Sequence, residues 1–272
     1  MDTLSAVGLG VLQGLTEFLP VSSSGHLVIG QHLLGWQEPN LFFDVCLHVG
    51  TFLAVVVVFR RDIALLVHGG LGWLRRPLGG NPYDRDESRR LFELVLFGTI
   101  PTVIIGFAFK DVFESLFASV RAVGFSLLIT GTLLWLTRRT ASFRGWGPFD
   151  IRFRHAVLVG IAQALAITPG ISRSGTTIAV ALFLGFQREW AGRFSFLLFV
   201  PAVMGAITLE LVKLRGVPDP FWPVVWGTAA AAVTGYVALR FLLAVVRHGR
   251  FHVFAPYCWA LGIVCLAATF FR

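Results

Sequence analysis

The sequence predicts an all-α polytopic integral membrane protein, with six spanning helices plus two re-entrant helix–loop–helix pairs arranged as an inverted-topology repeat. Three observations carry that prediction. Of 272 residues, 56% are hydrophobic and only 14% charged, with a mean hydropathy of +0.75; a water-facing domain typically carries about 25% charged residues. Six apolar runs approach the roughly 20 residues that cross a bilayer. Two further apolar regions are interrupted near their middles, and the interruptions resemble one another. This composition excludes a disordered chain, a collagen-like chain and a nucleic-acid-binding module. The net charge of +8 does not argue for nucleic acid, because the 23 basic residues lie between apolar runs instead of on one amphipathic face. In a membrane protein such charge is an orientation signal. Cys46, Cys258 and Cys265 sit inside apolar runs without paired spacing and read as small hydrophobes. No basic segment precedes the first apolar run, so no removable leader is expected.

The chain reads as a single membrane domain, 1–272, with repeat halves at about 1–140 and 150–272. The first interrupted region, about 4–34, is broken by Pro20-Val21-Ser22-Ser23-Ser24-Gly25. Spans are expected at about 41–60, 91–109 and 117–137, with an interfacial segment and loop between the first two, over about 63–90. The second interrupted region, about 156–186, is broken by Pro169-Gly170-Ile171-Ser172-Arg173-Ser174-Gly175, and spans follow at about 192–212, 221–246 and 252–271. Each half of a broken region is too short to cross alone. Non-helical backbone at membrane depth is tolerated only where protein buries it or water lines it, so both regions read as pairs that enter and leave on one side.

Residues 13–25 (QGLTEFLPVSSSG) and 163–175 (QALAITPGISRSG) match at Gln13/Gln163, Leu15/Leu165, Ser22/Ser172, Ser24/Ser174 and Gly25/Gly175. Three spans follow each copy, and three is odd, so the second copy enters the membrane upside down relative to the first. Two broken helices then meet near the bilayer midplane. Most basic residues fall on one side, among them Arg60, Arg61, Arg138, Arg139, Arg188, Arg247 and Arg250, whereas Lys110, Arg121, Lys213, Arg215 and Arg272 fall on the other. The Arg-rich side is expected in the cytoplasm, which puts both termini and the first re-entrant loop on the outer side.

Ionisable groups at membrane depth are costly and so are functional candidates. In the first break, Gln13 and Glu17 share a helix face, Pro20 ends that helix, and His26 opens the next. Serine hydroxyls and free N–H groups at a helix N-terminus suit an anion; Ser22, Ser24 and Gly25 are the phosphate-contacting candidates here, and Gly170, Ser172, Ser174 and Thr177 in the second break. Arg173 adds a planar cation suited to phosphate oxygens. Ser23 is placed to attack phosphorus with His26 taking or relaying its proton, and Arg173 to stabilise the developing charge. Glu17 serves as base or, with Gln13, as ligand to a divalent cation bridging a pyrophosphate. Asp44 and His48 form an i,i+4 pair in the first span, readable as a proton path or as an interhelical hydrogen-bonded pair. Arg240 is expected to snorkel.

The pattern Gln13-Gly14-Leu15-Thr16-Glu17, the stretch Ser22-Ser23-Ser24-Gly25-His26 and the complete Pro169-Gly170-Ile171-Ser172-Arg173-Ser174-Gly175-Thr176-Thr177 resemble the two motifs of the bacitracin-resistance type undecaprenyl-pyrophosphate phosphatases. The resemblance covers essentially the whole chain. It implies hydrolysis of undecaprenyl pyrophosphate to the monophosphate, recycling a cell-wall lipid carrier in the bacterial inner membrane, with a periplasm-facing site and a divalent cation, magnesium or calcium. It also implies Glu17, Ser23, His26 and Arg173 as the catalytic set. Gln13 departs from members that carry a second glutamate, and a neutral amide is the weaker cation ligand. The competing reading is a carrier that moves a polyprenyl phosphate without hydrolysis, since broken-helix inverted repeats also serve alternating access. The partners expected are the lipid substrate and the bilayer; a homodimer is left open by the sequence.

Overall fold

The structure, a computed structural model, describes residues 2–33, 41–75, 86–117, 119–140, 145–213 and 221–270. Helix α1 (Thr3–Phe18) begins behind Asp2, whose side chain accepts from the Ser5 amide. The bonds from Ser5 hold the Asp2 carboxyl below the usual carboxylate range. α1 stops at Leu19, before Pro20, and α2 (Ser23–Leu33) turns back. The first span is α3 (Leu41–Val58); α4 (Arg60–Arg75) leaves it at 86°. The interfacial segment and loop were expected over about 63–90, and α4 begins that stretch at a near right angle to α3. α5 (Glu87–Ala108), α6 (Lys110–Phe117) and α7 (Val120–Leu136) complete the first half. The second half repeats the plan with α8 (Phe153–Leu165), α9 (Arg173–Phe183), α10 (Arg188–Lys213), α11 (Phe221–Arg247) and α12 (Ala255–Phe270).

The six expected spans are thus α3, α5, α7, α10, α11 and α12. Five of these regions are long and apolar enough to cross singly, and α3 reaches the criterion together with α4. The short α6 was not expected; Lys110, Asp111 and Glu114 give it a polar face while Phe113 is buried. Arg76, Pro77, Asn81, Pro82 and Arg85 of the expected loop lie outside the described residues, as do Leu34, Arg144, Arg215 and Arg272.

Each re-entrant helix packs on the middle span of the opposite half, and glycine makes both contacts. A Cβ on Gly10 of α1 would collide with the Gly227 carbonyl of α11, and one on Gly160 of α8 with the Gly98 carbonyl of α5. Gly14 meets Ala231 and Thr234 further along, so α1 and α11 run the same way. Thr102, one turn beyond Gly98, bonds the Gly160 carbonyl and Gln163, so α8 runs with α5. Arg193 at the start of α10 pairs with Asp62 just past α3 and with Glu87 at the start of α5. The end of α3 therefore lies with the starts of α5 and α10. α3 runs with α1 and α11, since Gly50 abuts Thr228 and Gly227 abuts Phe43. α8 thus runs opposite to α1. The core beneath the breaks is aromatic: Phe18, Phe59, Phe194 and Phe196 are almost fully buried. Large apolar side chains such as Ile104, Phe107, Val233, Val237 and Ile263 are exposed around the outside, as a lipid-facing belt requires.

Candidate active site

The first break is tight because one non-glycine residue adopts a left-handed conformation: Ser22 has φ +69°. L-residues other than Gly, Asn and Asp rarely adopt it, so surrounding bonds must hold it. The Ser22 hydroxyl accepts the Gly170 amide at 3.1 Å and lies 3.3 Å from the Ser24 hydroxyl, while its carbonyl accepts His26 Nδ1 at 2.8 Å. That carbonyl fixes the ring tautomer: Nδ1 carries the proton, and Nε2 accepts from the Tyr257 hydroxyl of α12 at 2.6 Å. The two rings stack at 5.8 Å.

Glu17 is the hub. Its Oε2 accepts from the Ser23 hydroxyl at 2.7 Å and from Gln13 Nε2 at 3.1 Å; its Oε1 accepts from Arg173 at 3.2 Å. His48 Nε2 stands 3.9 Å from Oε2. The carboxylate is only 7% exposed, and a buried carboxylate persists as an anion only when paired and hydrogen-bonded.

In the second break Gly170 takes the left-handed turn, with φ +88°, and a Cβ there would sit 2.5 Å from the Val123 carbonyl oxygen. Ser172 caps α9 by accepting the Gly175 amide, Ser174 donates to the Phe18 carbonyl at 2.8 Å, and Thr177 bonds the Arg173 carbonyl and Ser195. The Arg173 guanidinium lies 3.7 Å from the Phe199 ring centroid and 5.5 Å from that of Phe196. Stacking on desolvated rings fixes its plane. One arm goes to Glu17, and the other terminal nitrogen, Nη1, is buried with no hydrogen-bond partner among the described residues. An unpaired donor of that kind is costly unless a ligand completes it.

The structure therefore gathers Gln13, Glu17, Ser23 and Arg173 at one point. The hydrogen bonds give the other expected residues partners within the protein. The Ser23 proton points to Glu17, because α2 begins at Ser23 and carries His26 round to Tyr257. Ser22 with Gly170, and Ser174 with the Phe18 carbonyl, latch the two breaks together, while Ser172 caps α9 and Thr177 ties α9 to Ser195 of α10. Gly25 has room for a Cβ, with Val123 at an ordinary 3.5 Å, so the left-handed turn sits at Ser22 and not at Gly25. The Asp44 carboxylate takes the Gln31 amide at 2.7 Å, and His48 Nδ1 donates to the Asp44 backbone carbonyl, so the expected side-chain pair does not form. Tyr257, Phe199 and Thr130, which bonds Gly170 and Ser172, were missed. Only Tyr257 offered a signal, as a phenol near the start of an apolar span.

A divalent cation is tested by the same geometry. Gln13 Oε1, beside Glu17, is buried with no hydrogen-bond partner among the described residues. One carboxylate and one amide oxygen fit magnesium, which usually takes one or two protein carboxylates and completes its sphere with phosphates and water. Among the described residues no cluster of three or more His, Cys, Asp or Glu forms a self-sufficient metal site. The set therefore suits a cation shared with a phosphate ligand.

Fold and site together define a multi-pass helical membrane protein whose two inverted broken helices bring Gln13, Glu17, Ser23 and Arg173 to one buried centre. A family model described as Bacitracin resistance protein BacA matches residues 6–264, and the chain belongs to that family. It is 50% identical over 270 residues to an undecaprenyl-diphosphatase of Desulfosudis oleivorans, covering 98% of each chain. A protein of the same name from Desulforapulum autotrophicum is 45% identical, covering 99% of each chain, and one from Halothermothrix orenii is 42% identical, covering 98% of each.

Proposed function

We propose that this chain is an undecaprenyl-diphosphatase, the activity for which its relatives are named. It hydrolyses undecaprenyl pyrophosphate to undecaprenyl phosphate and inorganic phosphate. The observation that carries this reading is the line from Ser23 Oγ through the Glu17 carboxylate to Arg173. A serine hydroxyl attacks phosphorus only if its proton has an acceptor, and Glu17 Oε2 is at hydrogen-bond distance. Ser23 Oγ bonds the terminal phosphorus while the bridging P–O bond breaks toward the departing lipid phosphate, and the Ser23 proton passes to Glu17. Water then cleaves the phosphoserine, releasing phosphate and restoring the hydroxyl. Arg173, through Nη1, and N–H groups at the starts of α2 and α9 hold the non-bridging oxygens as charge shifts. His26 and Tyr257 supply a second proton-transfer pair for the water step. Glu17 and Gln13 would hold magnesium or calcium against the pyrophosphate, where such an ion neutralises phosphate charge.

A carrier without hydrolysis needs the Arg173 clamp but not a serine bonded to a buried carboxylate. A bacterial inner membrane is the location the family resemblance implies, and the arginine distribution supports an orientation there with the site and both termini on the periplasmic side. The test is phosphate release from a polyprenyl pyrophosphate by purified protein in detergent, with and without magnesium or calcium. Wild type releases phosphate, and Ser23→Ala and Glu17→Ala each lower the rate about 10³-fold. Folded wild type that releases none with either metal would return the carrier reading. Native mass spectra of the same preparation report whether the chain forms the homodimer that the sequence leaves open.

A further inference from the structure

A second concentration of positive charge lies away from the catalytic centre. A cavity of about 540 Å³ opens where the corner between α3 and α4 meets the start of α10 and the end of α11. Arg188 and Arg193 of α10 and Arg240 and Arg247 of α11 line it, against two carboxylates, Asp62 and Glu189. Arg193 is committed to Asp62 and Glu87. Among the described residues, Arg188, Arg240 and Arg247 have no ion pair within 4 Å. An orientation signal accounts for arginines in loops. It does not account for four helical arginines converging on one concavity, an arrangement that raises the local potential and concentrates anions.

The rest of the wall is apolar, Phe59 and Leu243 among it. A ligand fitting both parts carries a compact anion on a hydrocarbon body. The anion best matched to several guanidinium forks is a phosphate, which accepts two parallel N–H bonds from each. Arg188 opens α10 and Arg247 closes α11, beside the corner from which α4 turns away at 86°. The cavity is also separate from the active site. Phe59 lines the cavity and stacks on Phe196 at 5.8 Å, while Arg173 faces Phe196 at 5.5 Å. One aromatic layer thus has basic groups on either side, and none of Glu17, Ser23, His26 or Arg173 lines the cavity.

We propose that this cavity binds the phosphate headgroup of an anionic lipid at the end of the molecule where α10 begins and α11 ends. The test uses full-length protein in detergent carrying Arg173→Ala, so that the active site contributes little, with dioleoyl phosphatidic acid as the probe in native mass spectrometry. One phosphatidic acid is retained in preference to phosphatidylcholine, and adding Arg240→Gln/Arg247→Gln weakens retention about 100-fold. Arg240→Lys/Arg247→Lys, which keeps charge and loses the forks, weakens it about tenfold and serves if the glutamine pair fails to fold. Millimolar inorganic phosphate leaves the lipid in place. Equal retention with and without the arginines, no preference over phosphatidylcholine, or displacement by inorganic phosphate alone would each overturn the proposal; the last would assign the cavity to free phosphate.

Discussion

The two breaks occupy equivalent positions in the repeat yet carry opposite chemistry. Ser22 and Ser172, Ser24 and Ser174, and Gly25 and Gly175 coincide, but Glu17 stands where the second copy has Ile167, Ser23 where it has Arg173, and His26 where it has Thr176. The shared residues cap helices and latch the loops: Ser172 receives the Gly175 amide, Ser22 the Gly170 amide, and Ser174 holds the Phe18 carbonyl. In the proposed mechanism the differing residues divide the reaction, with the proton acceptor and nucleophile on one loop and the anion clamp on the other. The shared positions supply a common scaffold, and the differences at three equivalent positions make the two breaks complementary. The Glu17–Arg173 pair is where they join, and each group offsets the other's burial.

The comparison can be broken most severely at the first loop. Glu17→Gln keeps the side-chain shape but cannot take the Ser23 proton, so kcat for phosphate release falls about 10³-fold; a loss below tenfold would show that Glu17 only positions Ser23. At the second loop, Arg173→Lys keeps the charge and gives up both the fork and the stack on Phe199. The expected loss in kcat/KM is about 10²-fold, and wild-type kinetics would mean that a point charge suffices. Tyr257→Phe removes the donor to His26 Nε2 and frees the ring to reorient; kcat falls about tenfold and the pH–rate profile shifts, whereas an unchanged profile would limit Tyr257 to packing. The smallest effect separates the two turns by stability. Gly170→Ala forces a Cβ into left-handed backbone against Val123 and costs about 1–3 kcal/mol, read as a lower thermal midpoint. Gly25→Ala, which meets only ordinary contacts, leaves the midpoint nearly unchanged.

Much of this was legible in the sequence because bilayer physics leaves few options. Six apolar runs became six spans, and Pro20 and Pro169-Gly170 mark the two breaks. Glu17, Ser23 and Arg173 stood out as polar groups within apolar segments. What stayed hidden depended on direction and long-range packing. Tyr257 is 231 residues from His26 along the chain, and only the pairing of α7 and α12 beside the first break brings it near. The left-handed turn falls on Ser22 instead of Gly25, three residues on, because the Gly170 amide and His26 hold Ser22 from both sides. Gln31 claims the Asp44 carboxylate, leaving His48 to face Glu17. The Gly10–Gly227 and Gly160–Gly98 crossings needed the partner helix to be known before either glycine had a meaning.

The central claim is that the two loops act as one catalytic unit, and a double-mutant cycle on Ser23 and Arg173 tests it most directly. Phosphate release from a polyprenyl pyrophosphate would be measured for Ser23→Ala, Arg173→Ala and the double variant. Groups that act as a unit are strongly non-additive, so the double variant should release phosphate about as slowly as the slower single variant. Losses that multiply would contradict the account, because the serine and the arginine would then act independently.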